Sequence, residues 1–452
     1  MPAADLGAKR VAIWGLGRDG RAAIAFLRQR HPALPLLLLD DSGDTRPPDG
    51  YGGNIACAFG PARIAAALDD IDVIVKSPGV SLYRPEIQAA LDNGVMVTSL
   101  LNLWFAERHD ITTICITGTK GKSTTASLLA RILARLGRRV ALAGNIGIPI
   151  TAIGDATAYA VVEVSSYQAA DFDGVCDVAV LTSLYPEHLD WHRSIENYYR
   201  DKIHLLHRSR CRVINGDTAD ALGLDLPSPA YRFNDKTGVH ACGSEIYDGA
   251  ERIGPMTNPY LARPHNLSDL CAALAAAKAL GIGVVEALDA ARGFPGLPHR
   301  QQELGRIGGI LYVDDSISTI PESTIAALRV YADREITVIV GGYDRGIDYG
   351  RLVEAFAAGM AKAVICLGAS GDRIYRAAQS AAAGRADFPC TLYRAPSMAD
   401  AIACAERATP AGGVVLLSPA APSYGHYRDF IERGQDFAAK AGFSASSAGN
   451  GL

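Results

Sequence analysis

The sequence predicts an α/β protein of three domains built on parallel-rich sheets. Short apolar, β-branched runs recur along the whole chain, separated by stretches with helical spacing. Two of the strand-to-helix junctions are rich in glycine, Gly15-Leu-Gly-Arg-Asp-Gly20 and Thr117-Gly-Thr-Lys-Gly-Lys-Ser-Thr124. At 452 residues, 49% of them hydrophobic, the chain is too long for one ordinary domain and has material for several cores.

The first domain is expected over residues 1–106. Residues 9–14 read as a strand, 21–30 as a helix and 36–39 as a second strand ending in Asp40-Asp41. The glycines of residues 15–20 therefore fall in a βαβ setting, with an acidic pair at ribose distance, which makes this domain Rossmann-like. The pattern fits a nicotinamide cofactor and equally the pyrophosphate of any nucleotide. A further strand, Ile71-Asp-Val-Ile-Val-Lys76, breaks at Ser77-Pro78-Gly79, either a ligand-facing turn or an ordinary strand end.

A second domain is expected over residues 107–298. Its strand 111–116, turn and helix 125–136 make a phosphate cradle: backbone N–H groups face anionic oxygens, Lys122 adds a compact positive charge, and the Ser123 hydroxyl can ligate magnesium. The loop is one position short of the strict pattern, since Ile116 stands where the first glycine belongs. Strand 159–164 carries Glu163 near its end, where a carboxylate can serve magnesium or pair with a helix N-terminus. Strand 178–182 leads into Pro186-Glu-His-Leu-Asp-Trp-His192, whose alternating His188, Asp190 and His192 lack a further ligand at zinc spacing. Lys202 lies in a helical stretch and reads, by spacing, as a surface lysine. Asn266 reads as the cap of an alanine-rich helix over 267–280. Proline and glycine density in Gly293-Phe-Pro-Gly-Leu-Pro-His-Arg300 marks a boundary and a hinge.

The third domain, 299–452, alternates strands (310–313, 336–340, 364–367, 414–417) with helices (323–331, 352–360, 372–381, 398–408), again Rossmann-like. Its strand ends carry Asp314-Asp-Ser316, Gly341-Gly-Tyr-Asp-Arg345 and Ser418-Pro-Ala-Ala-Pro-Ser423. Residues 444–451 read as a disordered tail.

A formal charge of −4 gives no broad basic footprint, so nucleic acid is not an expected partner. No apolar run is long enough to span a bilayer, nine cysteines form no CxxC pair, and the N-terminus has no leader pattern; a reduced, cytoplasmic protein is expected.

Taken in order, Gly118-Thr-Lys-Gly-Lys-Ser-Thr124, Glu163-Val-Ser-Ser-Tyr-Gln168, His188-Leu-Asp190, Leu297-Pro-His-Arg300, Asp315-Ser316 and Ser418-Pro-Ala420 resemble the Mur ligases, closest to their glutamate-adding, MurD-type branch. The resemblance covers nearly the whole chain. It implies ATP-dependent addition of glutamate to UDP-N-acetylmuramoyl-L-alanine through an acyl phosphate, in peptidoglycan precursor synthesis. It also implies a central ATPase domain, an N-terminal nucleotide domain and a mobile C-terminal domain. By position, Gly118, Thr119, Lys120, Gly121, Lys122, Ser123 and Thr124 would hold the ATP phosphates, with Asn266, Arg300 and Asp315 as further ATP contacts. Two magnesium sites are implied, one served by Ser123 and Glu163, the other by His188 and a carbamylated Lys202, which displaces the surface-lysine reading. Lys122, His188 and Lys202 would be the catalytic residues. Arg18, Asp19, Asp40, Ser77 and Gly79 fall where the family holds the UDP group, which displaces the nicotinamide reading, and Asn145 resembles a residue bridging the two substrates. Thr319, Arg345, Ser423, Tyr424 and Phe430 would form the glutamate pocket. A monomer is expected, with a functional link to a downstream epimerase.

Departures from the family pattern cluster in the third domain. Ile317 stands where a lysine is usual, Ile320 replaces an asparagine, Arg345 stands roughly at a lysine position, and Tyr424 replaces an aliphatic residue. In the central domain, Lys120 and Asp269 replace asparagines. Losing one cation and gaining an aromatic ring would reshape a pocket that must grip two carboxylates while presenting one amine. This points to the L-glutamate-adding variant, with a D-glutamate enzyme and a folylpolyglutamate synthetase as alternatives.

Overall fold

The computed structural model describes residues 2–43, 45, 54–224, 227–383 and 388–443. These fall into two compact units, Met1–Phe294 and Pro295–Leu452. The tail expected over 444–451 lies outside the described residues.

The first unit holds two sheets. Strands β1 (Val11–Trp14), β2 (Leu36–Asp40), β3 (Ile55–Phe59), β4 (Val73–Lys76) and β5 (Met96–Thr98) pair in parallel in the order β3-β2-β1-β4-β5. β1 is buried along its whole length, which explains an apolar run without alternation. The second sheet comprises β6 (Thr112–Thr117), β7 (Val140–Gly144), β8 (Tyr159–Glu163), β9 (Cys176–Leu181), β10 (Ser209–Asn215), β11 (Ala230–Phe233), β12 (Val239–Cys242), β13 (Glu245–Asp248) and β14 (Glu251–Pro255). Its order is β14-β13-β12-β11-β10-β9-β6-β8-β7; the pairs from β7 to β12 are parallel, and β12 to β14 form an antiparallel meander. β6 sits inside the sheet, between β8 and β9, and the helix Lys122–Arg135 that follows buries Leu128, Leu129, Ile132 and Leu133. Ligands of such sheets collect beyond the carboxyl ends of the strands, so this junction fixes where a site can form.

The second unit has one sheet of β15 (Gln302–Ile307), β16 (Ile310–Asp314), β17 (Ile336–Val340), β18 (Ala363–Leu367), β19 (Thr391–Ala395) and β20 (Val414–Leu417), ordered β15-β16-β20-β17-β18-β19. β15 is antiparallel to β16 and the rest are parallel. Adjacency of β16, β20 and β17 brings their carboxyl ends, and the loops after them, to one edge.

One expectation needs correction. Asn266 does not cap the alanine-rich helix, which begins at Pro264 with Arg263 as its cap residue. Proline is preorganised for the first helical position, so the helix starts earlier. The Asn266 side chain donates instead to the Tyr260 carbonyl, at 2.7 Å.

Candidate functional site

The phosphate-type loop is shaped by backbone that only glycine tolerates. Gly121 caps the helix Lys122–Arg135 at φ +85°, and a Cβ there would stand 2.2 Å from Asp269 Oδ1. The loop is also fastened to the segment after β9. The Thr182 hydroxyl donates to the Lys120 carbonyl (2.6 Å), the Lys120 amide donates to Ser183 Oγ (2.9 Å), and the Thr119 hydroxyl lies 2.7 Å from the Tyr198 hydroxyl. Lys120, expected among the phosphate contacts, pairs with Glu187 at 2.7 Å.

Two amines meet on one carbonyl. Lys122 Nζ and Lys202 Nζ each donate to the Gly118 oxygen at 2.8 Å. Lys122 also donates to the Thr119 oxygen, at 3.0 Å. Lys202 is 1% exposed, so the helix Ile195–His207 buries the lysine that spacing alone would put on the surface. Burial, and then the charge of Lys122, hold the Lys202 pKa well below the usual lysine range, against the opposite pull of Glu187 and Glu163. A neutral amine is the form that can act as a nucleophile.

Glu163, 1% exposed at the end of β8, accepts from Asn145 Nδ2 at 2.9 Å through Oε1, while its buried Oε2 has no hydrogen-bond partner. An orphaned buried carboxylate oxygen beside Gly144 and Asn145 fits a hard, oxygen-seeking cation. Ser123 opens the helix next to Lys122 and is half-buried. His188 is held at φ +56°, with its ring 5.2 Å from that of Tyr167. Burial lowers its pKa despite the acidic Glu187 and Asp190, which keeps its ring neutral and a nitrogen lone pair free at neutral pH. Among the described residues no three His, Cys, Asp or Glu side chains gather as a metal cluster. His192, considered above with His188 and Asp190, is turned inward, with Nδ1 2.7 Å from Asp201 Oδ2.

At the first sheet, the predicted residues shape the glycine loop. Asp40 accepts from the Leu16 amide (3.0 Å), the Ser42 amide (3.1 Å) and the Thr45 hydroxyl (2.9 Å). Burial opposes its ionisation, yet these bonds win and lower its pKa. The Ser77 hydroxyl donates to the Gly15 carbonyl at 2.6 Å, and Gly79 is exposed in the turn after β4. Arg18, 3.5 Å from Asp19, donates to the Gly144 carbonyl at 2.9 Å, so it reaches from the first sheet to the end of β7. Within this unit the structure brings together residues 118–124, Glu163, Asn145 and Lys202.

In the second unit the predicted residues line the shared strand-end edge. Asp315 is buried and accepts from the Ser318 (2.6 Å) and Ser418 (2.7 Å) hydroxyls and the Gln301 amide (3.1 Å). Burial pushes its pKa up to about 6, against those bonds and the charge of Arg300. Arg300 Nε is buried without a hydrogen-bond partner. Arg345 donates to the Thr319 carbonyl at 3.2 Å, Ser423 is buried, and the exposed Tyr424 ring stands edge-on to Tyr343 at 6.2 Å. Phe430 lies edge-on to His299, at 6.0 Å. Sequence reasoning missed Arg433, a buried arginine under this edge, and Lys76, buried at the end of β4 in the first sheet. The signal available was a charge closing the apolar strand run at Lys76 and a charge at helical spacing with Phe430 and Phe437 at Arg433.

A fastened phosphate loop, a buried lysine of lowered pKa and an orphaned carboxylate define a nucleotide-dependent α/β enzyme that handles phosphoryl groups. Comparison with known proteins narrows the class. Residues 9–99 match the Mur ligase MurD-like N-terminal domain, residues 116–236 the Mur ligase middle domain, and residues 299–421 the Mur ligase glutamate ligase domain. The UDP-N-acetylmuramoyl-L-alanine--L-glutamate ligase of Xanthomonas euvesicatoria pv. vesicatoria is 40% identical, covering 100% of this chain and 99% of its own. The protein of the same name from Salinispora tropica is 40% identical, covering 97% and 98%. Among solved structures, the UDP-N-acetylmuramate-alanine ligase MurC from Thermotoga maritima superposes with a TM-score of 0.59 at 18% identity, covering 96% of this chain and 99% of its own. MurF from Acinetobacter baumannii also gives 0.59, at 16% identity, covering 98% and 92%. The chain belongs to the Mur ligase family, ATP-dependent ligases of the amide-forming type that use magnesium.

Proposed function

We propose that this ligase joins L-glutamate to UDP-N-acetylmuramoyl-L-alanine, cleaving ATP to ADP and phosphate, as a step of peptidoglycan precursor synthesis. The observation that carries this reading is full-length 40% identity to ligases named for L-glutamate. The loss of a cation at Ile317 and the aromatic pair Tyr343 and Tyr424 on the rim support it.

The chemistry must activate a carboxylate, because amide formation in water is uphill. The terminal alanine carboxylate of the nucleotide substrate attacks the γ-phosphorus of ATP, ADP leaves, and an acyl phosphate forms. The glutamate amine then attacks the acyl carbon, and phosphate leaves from the tetrahedral intermediate. In this reading residues 118–124 bind the ATP phosphates, and Lys122 balances charge on the transferring group. Glu163 and Ser123 would hold one magnesium, and His188 and Lys202 the second. Lys202, whose lowered pKa favours loss of its proton, would add to CO₂ as the amine and lose a further proton, giving an anionic carbamate with the oxygen donors that magnesium needs. The bound metal supplies Lewis-acid stabilisation of phosphoryl oxygens. Asn145 orients Glu163 and bridges the substrates. Arg18, Asp19, Asp40, Ser77 and Gly79 form the uridine-nucleotide end. Asn266, Arg300 and Asp315 complete the ATP contacts, and Thr319, Arg345, Ser423, Tyr424 and Phe430 receive glutamate. Residues 1–106, 107–298 and 299–452 act as the nucleotide-substrate, ATP and glutamate domains. The same reading has a monomer acting in the cytoplasm, where a downstream epimerase inverts the glutamyl centre. No helix among the described residues is long and apolar enough to cross a membrane.

The test is phosphate release and product mass with UDP-N-acetylmuramoyl-L-alanine, ATP and magnesium, with L- or D-glutamate in parallel samples. Turnover with L-glutamate alone is expected. Turnover with D-glutamate alone would overturn the isomer, and turnover with neither, but with a folate, would overturn the substrate.

A further inference from the structure

Arg433 lies in the first turn of the helix Phe430–Lys440 and is 1% exposed. Its guanidinium donates from Nε to Ser316 Oγ (3.0 Å), from Nη2 to the Ser316 carbonyl (2.7 Å) and from Nη1 to the Ala421 carbonyl (3.0 Å). Those acceptors belong to the loops after β16 and β20, and the Ser316 hydroxyl in turn donates to the Phe430 carbonyl at 2.8 Å. The loop after β17 joins the same wall, since the Tyr343 amide donates to the Pro422 carbonyl at 2.9 Å. One planar fork thus fixes two loops in register, a task for which a flexible ammonium is poorly suited.

Its acceptors are a hydroxyl and two carbonyls, and the one carboxylate that acts on its charge, the buried Asp314, is held 2.7 Å from His299 Nδ1 rather than bonded to the guanidinium. Burial pulls its pKa down to about 10, against the opposite pull of Tyr427 and Asp314, which still leaves it protonated at neutral pH. A buried cation is costly, and a methionine would fill much of the same volume without that cost. Its charge instead offsets the buried carboxylates Asp314 and Asp315 at the strand-end edge, where a dicarboxylate amino acid of net charge −1 needs cations and where Ile317 supplies none.

We infer that Arg433 is a positioning residue for the amino-acid substrate, joining the loops after β16 and β20 into one wall and supplying, from behind it, positive charge for a dicarboxylate. This rests on the reading of the second unit as the glutamate-binding one. The experiment compares wild type, Arg433→Lys and Arg433→Met in steady-state kinetics and in trapping of the acyl phosphate by hydroxylamine without glutamate. Arg433→Met should raise KM for glutamate by roughly 10-fold or more and narrow the preference for glutamate over glutamine, while Arg433→Lys recovers part of both. KM for ATP and for the nucleotide substrate, and hydroxamate formation, should stay within about 3-fold. An unchanged glutamate KM in folded Arg433→Met overturns the inference, as does a loss of hydroxamate parallel to the loss of glutamate affinity. Should Arg433→Met not fold, an Arg433→Lys variant with wild-type glutamate KM and glutamine discrimination overturns it as well. A wild-type protein that forms no hydroxamate from the nucleotide substrate would instead sink the proposed function.

Discussion

At the scale of single residues, the chemistry depends on what burial does to Lys202. In water a lysine is an ammonium, which cannot add to CO₂ and cannot ligate magnesium. Here the side chain is 1% exposed, and the charge of Lys122 shares its carbonyl, so the equilibrium shifts toward the neutral form. Lys202→Ala should therefore lower turnover by roughly 100-fold or more, since a buried metal ligand is lost from a site that stabilises phosphoryl charge. Acetate, a carboxylate small enough to enter the vacated space, should restore part of the rate. ¹³C NMR on wild type supplied with labelled bicarbonate should show a carbamate signal that the variant lacks. Full activity in the variant would remove the carbamate from the mechanism. The burial itself was not legible in the sequence: spacing places residue 202 on a helix, but whether that helix face meets solvent depends on β6 and the loop after it, which lie far away in the chain.

At the scale of elements, the phosphate loop works because its backbone is fixed from two sides. Asp269 presses on Gly121 from the helix Pro264–Ala279, and Thr182 and Ser183 hold Lys120 from the strand end of β9. Gly121→Ala places a side chain at φ +85° and 2.2 Å from Asp269 Oδ1, so the loop must open. The expected cost is about 1–3 kcal/mol in stability, with ATP affinity falling at least about 10-fold. Titration with a fluorescent ATP analogue checks this, with Gly154→Ala as the control, because a Cβ at Gly154 meets nothing within 4 Å. Equal affinity in Gly121→Ala and wild type would show that the cradle does not depend on that conformation. Except for β10 and β11, whose runs are interrupted by Arg210, Arg212 and Arg232, the parallel strands inside each sheet were legible to within a residue or two, because full burial gives unbroken apolar runs such as Ile336–Val340 and Val414–Leu417. The edge strands β3 and β5, and the meander β12 to β14, were not. They are short and partly exposed, and carry Glu245, Asp248 and Glu251 where a core strand would be apolar, so no period stands out. Within the site, the glycine loop was legible because glycine is demanded by backbone geometry, whereas Arg433 and Lys76 were hidden because their acceptors come from distant loops.

At the scale of the whole molecule, the first unit makes one body of two sheets: a single apolar core runs from Val11 and Ile13 of β1 through Trp104, Phe105 and Phe172 to Cys115 and Val162 of the second sheet, and polar contacts add to it. Trp191 Nε1 donates to the Pro78 carbonyl (3.1 Å), the Ser81 hydroxyl to the Trp191 carbonyl (2.8 Å), and the Tyr83 hydroxyl to Asp201 at 2.8 Å. The turn after β4 is thereby tied to the segment that carries His188 and Lys202. Beneath it Lys76 Nζ lies 2.9 Å from Asp171 Oδ2, with side chains 0% and 6% exposed; the pair is close, though not aligned as a hydrogen bond. A buried pair adds little net stability over an apolar replacement, because desolvation offsets the attraction, but removing one partner leaves a bare charge inside. Lys76→Ala should destabilise the first unit by about 3–5 kcal/mol, while Lys76→Met combined with Asp171→Leu should recover most of that loss. All three tryptophans, Trp14, Trp104 and Trp191, lie in this unit, so the urea midpoint followed by tryptophan fluorescence reports on it without interference from residues 295–452. If Lys76→Ala unfolds at the wild-type midpoint, water reaches Asp171 once the lysine is gone, and the shared apolar core with its other polar contacts holds the two sheets without the pair. If the double variant is as weak as the single one, the charge pair itself, rather than the cost of an orphaned carboxylate, fixes the first sheet against the second.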